Sequence, residues 1–401
     1  MTSLKRFPIF LLLAVVFTLS SCNDDEGNNA SVPEGDVVVS SSLAFQFTPP
    51  ILISIALQQQ LGDFVNYIDH PVTAHRIVYK TQFKGEQILA SGIIAYPEGI
   101  SNAPLLSAQH GTIFADSKAP SNLDVLNGQM SGFEFFASAG YITIIPDFIG
   151  YGESVAIVHP YYRADYTASA TLDMIKAAEE FLAFKNITVG DKLFLFGYSE
   201  GGFATMATLR EIESNPSLGL TVTAAAAGAG GFDIKGIMDH VLDLTTHPEP
   251  GFLSFVVHSY NTSYDWNRNL ADIFQEPYAS RIPDLLDGSK DKDQINAQLT
   301  TTINDLVNPA FKDSVQNGLE SQLTNAMIAN SVHDWAPQSK VKLLHSLDDE
   351  VLPIANTAST YQSYLSNGAL DVTFDTVGGD SHATGALETI EVVIAWFNTL
   401  K

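Results

Sequence analysis

Residues 192–210 read KLFLFGYSEGGFATMATLR, and they restrict the fold more than any other stretch. Leu193, Phe194, Leu195 and Phe196 form an unbroken apolar run, the mark of a strand buried on both faces. The run stops at Gly197, and residues 202–213 then read as a helix. Between them lie Gly197, Tyr198, Ser199, Glu200 and Gly201, a G-x-S-x-G pattern. A strand that turns sharply into a helix holds the central serine in a strained conformation with its hydroxyl exposed. Glycines on either side let neighbouring backbones approach where a Cβ would collide. The helix start offers N–H groups and a positive dipole end to a developing anion. Ser199 is therefore read as a nucleophile.

A serine hydroxyl is a poor nucleophile on its own. It needs a base, and the base needs an acid to orient it. In a strand–turn–helix site the chain order is nucleophile, acid, histidine. Six histidines follow Ser199: His240, His247, His258, His333, His345 and His382. Only His382 sits in a loop between the last predicted strand and the last helix, at the carboxyl ends of the strands where ligands bind. It is read as the base. The acid is one of two neighbours, Asp348 or Asp349, both placed after a strand. Their spacing to Val351-Leu352-Pro353, where a helix starts, favours Asp349. Glu350 reads as a solvated carboxylate of that first turn.

Around this core the chain alternates. Residues 75–97 carry two β-rich runs about Lys84-Gly85, a hairpin pattern. Strands are expected at 104–108, 141–147, 192–196, 221–228, 341–347 and 372–377. Helices are expected at 123–139, 163–185, 202–213, 354–365 and 383–397. Strands separated by helices imply a mostly parallel sheet flanked by helices. From 232 to 338 the rhythm fails. That stretch has turn residues, weak amphipathic helices and no clear buried strand, and it reads as a helical lid inserted into a core of residues 37–231 and 339–401.

The N-terminus is read as a targeting segment. Lys5 and Arg6 precede an apolar stretch that ends near Leu19. This is short of the roughly 20 residues of a membrane span and has the shape of a signal peptide, residues 1–21. Leu19-Ser20-Ser21-Cys22 resembles the bacterial lipobox, which implies lipidation of Cys22, the sole cysteine. Residues 22–36, polar and bearing Gly, Asn and Pro, read as a disordered tether. The acidic Asn23-Asp24-Asp25-Glu26 resembles an export signal to the outer face. The expected location is the bacterial cell envelope, as an outer-membrane lipoprotein that is surface-exposed or faces the periplasm. The membrane contact is expected only through this anchor.

With these motifs in order, the chain resembles the α/β-hydrolase family over nearly all of its mature length. Residues 344–353 resemble its acid loop G-x-x-D-x-x-V-P, with Ser346 in place of the glycine, and that match places the acid on Asp349. Gln109-His110-Gly111-Thr112 resembles its oxyanion loop. The match implies the N–H groups of Thr112 and Glu200 as oxyanion donors and a structural His110. Residues 74–97, Ile145-Pro146-Asp147-Phe148-Ile149-Gly150-Tyr151-Gly152 and the helix near Arg163 resemble the secretory lipases. The insertion falls where those carry a helical lid. The resemblance implies ester hydrolysis through an acyl-enzyme, without metal or organic cofactor. Glu200 would disfavour anionic acyl groups if its carboxylate faced the pocket.

Net charge narrows the partners. At −25 over 401 residues the surface repels nucleic acid and anionic headgroups. The expected substrate is a small-molecule or lipid ester. A prolyl-oligopeptidase-type serine peptidase shares the triad, but the stretch before residue 75 is too short for a propeller. A non-catalytic binding lipoprotein would not need an intact triad. The Asp-rich residues 287–293 lack the spacing of a Ca²⁺ loop and read as a solvated turn.

Overall fold

The computed structural model describes residues 35–401. The signal, lipidation and tether readings therefore fall outside the described residues. The exceptions are Gly35 and Asp36, where the Gly35 N–H donates to Val38 O at the entry to the first strand.

Among the described residues nine strands form one sheet: β1 (Val38–Phe47), β2 (Val72–Phe83), β3 (Glu86–Pro97), β4 (Ala103–Gln109), β5 (Ile142–Pro146), β6 (Val189–Tyr198), β7 (Val222–Gly228), β8 (Lys340–Ser346) and β9 (Val372–Val377). Their order is β1-β2-β3-β5-β4-β6-β7-β8-β9. The β2–β3 hairpin is antiparallel, with Phe83 opposite Glu86 about the Lys84-Gly85 turn. From β5 to β9 every pairing is parallel. Parallel strands need crossover helices on the sheet faces, and that is why the central strands are apolar throughout.

The alternation along β6 shows the consequence. Leu193 and Leu195 join one core, with Met206 and Leu209 of the helix Glu200–Ser214 and with residues of the insertion. Phe194 and Phe196 join the other, with Phe136 and Phe397. Successive side chains point to opposite faces, so both layers are built from one short run. In β7 the positions paired with Phe194 to Gly197 are four consecutive alanines, Ala224 to Ala227, all fully buried. Gly228 at its end lies against Gly202, where a Cβ would come within 2.6 Å of the Gly228 carbonyl. Small residues here let the helix Glu200–Ser214 lie close to the sheet.

Two expectations need correction. Residues 123–139 do not form a helix. They hold one short 3₁₀ turn, Val125–Asn127, and a single helical turn, Phe135–Ser138. Gly128 and Gly132 adopt positive φ of 78° and 97°, which breaks any continuous helix there. Glu350 is exposed as expected but lies before the helix Ile354–Ser366 rather than in its first turn, and it also holds a contact in the site below. Residues 232–338 are helical with two isolated β-bridges. The helix Pro250–Ser263 is buried along most of its length, and Leu253, Val256 and Tyr260 share the main core. Tyr260 donates to Tyr162 O, and Asn330 Oδ1 accepts from the Ala164 N–H. The insertion is packed onto the start of the helix Ala164–Phe184 through these contacts. Within residues 287–293, Asp291 caps the short helix Lys292–Asn296 with a reciprocal capping box. Among the described residues no helix is long and apolar enough to cross a membrane.

Burial of His258 in that inserted helix has a measurable effect. Desolvation lowers its pKa from 6.5 to about 4. An unfolded chain takes up this proton near pH 6.5, whereas the native chain resists until about pH 4. Its stabilising contribution is fully present above pH 6.5 and is lost as pH falls through 4. His75, also lowered to about 4 by burial and then by Lys185, acts in the same sense. His258→Leu is expected to flatten the fall in melting temperature between pH 6.5 and 4. An unchanged slope in thermal scans would remove His258 from this account.

Candidate active site

The carboxyl ends of β4, β6, β8 and β9 converge on one side of the sheet, and each delivers one part of the site. At the end of β6, Ser199 has φ 59° and ψ −124°. A non-glycine residue in that region costs on the order of 1–3 kcal/mol and persists only where its surroundings enforce it. The enforcement is visible. The Ser199 N–H donates to Gly228 O at 2.8 Å, and its carbonyl accepts from Phe203 N at 3.2 Å. A Cβ on Gly201 would lie 2.0 Å from Gln109 O, and one on Gly197 would lie 2.2 Å from Gly201 O. Both glycines are needed for β4 and the helix start to pass this close.

His382 Nε2 lies 2.9 Å from Ser199 Oγ, and its Nδ1 lies 2.6 Å from Asp349 Oδ2. The carboxylate can only accept, so Nδ1 carries the proton and Nε2 is left to accept from the serine hydroxyl. Of the two aspartates, Asp349 is the one brought to His382; Asp348 is exposed. Asp349 Oδ1 accepts from Val351 N at 2.9 Å and Leu352 N at 2.8 Å. Burial alone would raise its pKa. Hydrogen bonds from His345 and His382, the charge of His382 and the Leu352 N–H outweigh that and hold it well below the carboxylate range.

Several residues here carry no local sequence signal. His345 is fully buried in β8, with Nε2 3.0 Å from Leu352 O and 3.2 Å from Asp349 Oδ2. It stands behind the Asp349 carboxylate as His382 stands before it. Glu350 Oε2 accepts from the His382 backbone N–H at 2.8 Å, so adjacent carboxylates hold the ring and the main chain of one histidine. Tyr198 donates to His382 O at 2.8 Å. Ser346 Oγ, at the position of the family's glycine, donates to Gly379 O at 2.9 Å and ties the acid loop to the histidine loop.

The loop after β4 closes the other side. Gly111 packs against Tyr198 O and Ser199 Cβ. His110 is buried, with Nδ1 2.7 Å from Gly111 O and Nε2 3.1 Å from Asp147 O, which fits a propping role. Thr112 lines the cleft shared by Ser199 and His382, and its Oγ1 lies 2.8 Å from Tyr161 OH. Glu200 opens the helix Glu200–Ser214, whose first N–H groups have no intrahelical acceptor. Its carboxylate does not line the pocket. It is 1% exposed and bonded to His159 Nε2, so the condition for rejecting anionic acyl groups is not met.

Two spaces meet at Ser199. One is a narrow apolar cavity of about 60 Å³ under the insertion, lined among others by Ile234, Met238, Leu253, Val256 and Leu352. The other is an open cleft of about 370 Å³ bordered by Thr112, Lys118, His382 and Lys292. Phe252 borders both. Among the described residues no His, Cys, Asp or Glu cluster is arranged to hold a metal ion.

Comparison with known proteins agrees with this architecture. A family model described as secretory lipase matches residues 123–399. Lipase 6 of Candida albicans is 21% identical over 268 residues, which cover 65% of this chain and 55% of that protein. The chain thus spans about half the length of the curated relatives it matches. Among solved structures, a protein of Legionella pneumophila described as a candidate hydrolase superposes with a TM-score of 0.83 at 25% identity, covering 91% of this chain and 98% of that one. The rice cell wall degrading esterase LipA of Xanthomonas oryzae superposes with a TM-score of 0.81 at 22% identity, covering 90% and 97%. The sheet and its flanking helices are those of the α/β-hydrolase fold.

Proposed function

The chain belongs to the secretory lipase family, and from that premise we propose that it is an exported carboxylic ester hydrolase acting through Ser199, His382 and Asp349. The observation that carries this reading is the unbroken relay from Asp349 to His382 to Ser199, at 2.6 and 2.9 Å, at the mouth of an apolar cavity. His382 takes the Ser199 proton as Oγ attacks the ester carbonyl. Asp349 fixes the ring tautomer and stabilises its cationic form. The N–H groups of Thr112 and Glu200 hold the oxyanion. The alcohol leaves with the proton from His382, and a water activated by the same ring releases the acid. The proposal extends to export: residues 1–21 as the signal, Cys22 as the lipid anchor, residues 22–36 as the tether, and residues 232–338 as a cap over the site. The lipobox and the family's description as secretory support that part.

Each space has its role. The apolar cavity takes the acyl chain and the open cleft takes the alcohol. A water needs only about 10–15 Å³ of such space, so about 60 Å³ admits an acyl chain of a few carbons. Initial rates on chromogenic esters from acetyl to palmitoyl are therefore expected to peak at short chains. Leu253→Ala, which lengthens the cavity under the cap, is expected to shift the ratio of octanoyl to butyryl turnover upward by about tenfold. An optimum at palmitoyl in the parent enzyme would refute the acyl assignment. No turnover on any ester would refute the function.

A further inference from the structure

The residue after the proposed nucleophile is a buried carboxylate, an unfavourable neighbour for a reaction that builds negative charge. Glu200 Oε1 lies 2.6 Å from His159 Nε2, and Oε2 has no hydrogen-bond partner among the described residues. His159 is 4% exposed, and its Nδ1 lies 2.6 Å from Ile149 O. A carbonyl oxygen only accepts, so Nδ1 carries one proton. One more proton lies between Nε2 and Oε1. On either atom it leaves the pair with no net charge. The rings of Tyr151 and Phe255, 4.8 and 5.7 Å from the imidazole, wall the pair in.

We propose that His159 is a positioning residue for ester hydrolysis: it keeps the Glu200 carboxylate neutralised so that the oxyanion can form one residue away. The inference rests on the reading of Ser199 as nucleophile and of the Glu200 N–H as oxyanion donor. A bare carboxylate buried so close, at 1% exposed, would oppose the developing charge that the N–H groups are placed to stabilise. The same contact ties the start of the nucleophile helix to the segment that carries Tyr161 and Tyr162 to the acyl cavity.

A mutant cycle tests it. His159→Asn retains a donor for Ile149 O and loses the contact with Glu200. It is expected to lower kcat by about 10²-fold with KM within about threefold. Glu200→Gln alone is expected to cost about tenfold, through the lost grip on the helix start. Combined with His159→Asn it should raise kcat above the single mutant by about tenfold, because no unpaired charge remains. A double mutant no faster than His159→Asn, or a His159→Asn enzyme with unchanged kcat, would overturn the proposal. Should His159→Asn not fold, Glu200→Asp decides. It keeps the charge but draws it away from His159, and it should be slower than Glu200→Gln; equal or faster turnover overturns the inference. Ser199→Ala runs beside them as a separate control. Turnover by that variant would overturn the nucleophile reading, independently of the cycle.

Discussion

Ser199→Ala is expected to lower kcat on any ester substrate by on the order of 10⁴- to 10⁶-fold, with little change in KM or melting temperature. The hydroxyl is the only group removed. Alanine keeps a Cβ, so the strain at φ 59° remains and the elbow has no reason to relax. Ser199→Gly separates the two properties of this residue. It should be as inactive as the alanine variant yet more stable, by about 1 kcal/mol, because glycine accepts positive φ without cost. A strained residue that costs stability and is tolerated nonetheless fits a position held for chemistry. If Ser199→Gly melted below Ser199→Ala, the enforced conformation would not be the source of strain.

Asp349→Asn is expected to reduce kcat by about 10⁴-fold while Asp348→Asn stays within about threefold of the parent. The asparagine still fits between the Val351 and Leu352 N–H groups and His382. It can offer an amide N–H to Nδ1, which would place the ring proton on Nε2 and leave Ser199 without an acceptor. The contrast between adjacent aspartates makes the test sharp. Both are acidic, both follow β8, and only one reaches the histidine. Equal effects from the two substitutions would mean that the loss reflects the charge of the loop rather than the relay. The sign of a second effect is also fixed. The Asp349 pKa is depressed in the native state, so its stabilising contribution is present above its ordinary 3.8 and is lost as pH falls below it. Asp349→Asn should remove that part of the acid destabilisation.

Much of this site is legible in the sequence because its chemistry is written locally. The elbow needs an apolar strand, two glycines and a helix in direct succession, all within residues 192–210. His382 and Asp349 stand at element ends, where loops carry function. What stayed hidden depends on contacts across the sheet. His345 looks like an ordinary strand residue. Its role appears only when the loop after β8 folds Asp349 back over it. His159 lies 41 positions from Glu200, in a stretch with no periodic pattern, and nothing local couples it to Ser199. Glu350 reads as a surface carboxylate until the Gly379 loop brings the His382 N–H to it. Residues 123–139 misled for a different reason. Their apolar content reflects packing of Phe133, Phe135 and Phe136 into the core, not a helical face.

The insertion shows the same limit. Its sequence reads as weak helices without a clear strand, and residues 232–338 hold several helices, among them the buried Pro250–Ser263, and two isolated β-bridges. Its close packing over the apolar cavity comes from pairs such as Tyr260 with Tyr162 and Asn330 with Ala164, far apart in the chain. Such pairs cannot be read from spacing.

The most direct measurement is covalent labelling with an alkyl p-nitrophenyl phosphonate, followed by intact mass and peptide mapping. Attack by an activated serine expels nitrophenolate and leaves a tetrahedral phosphonyl adduct that water does not readily clear. The account predicts one adduct per chain, on the peptide containing Ser199. Labelling should be far slower in Asp349→Asn and absent in Ser199→Ala. An adduct on another residue, or labelling at the same rate without Asp349, would contradict it.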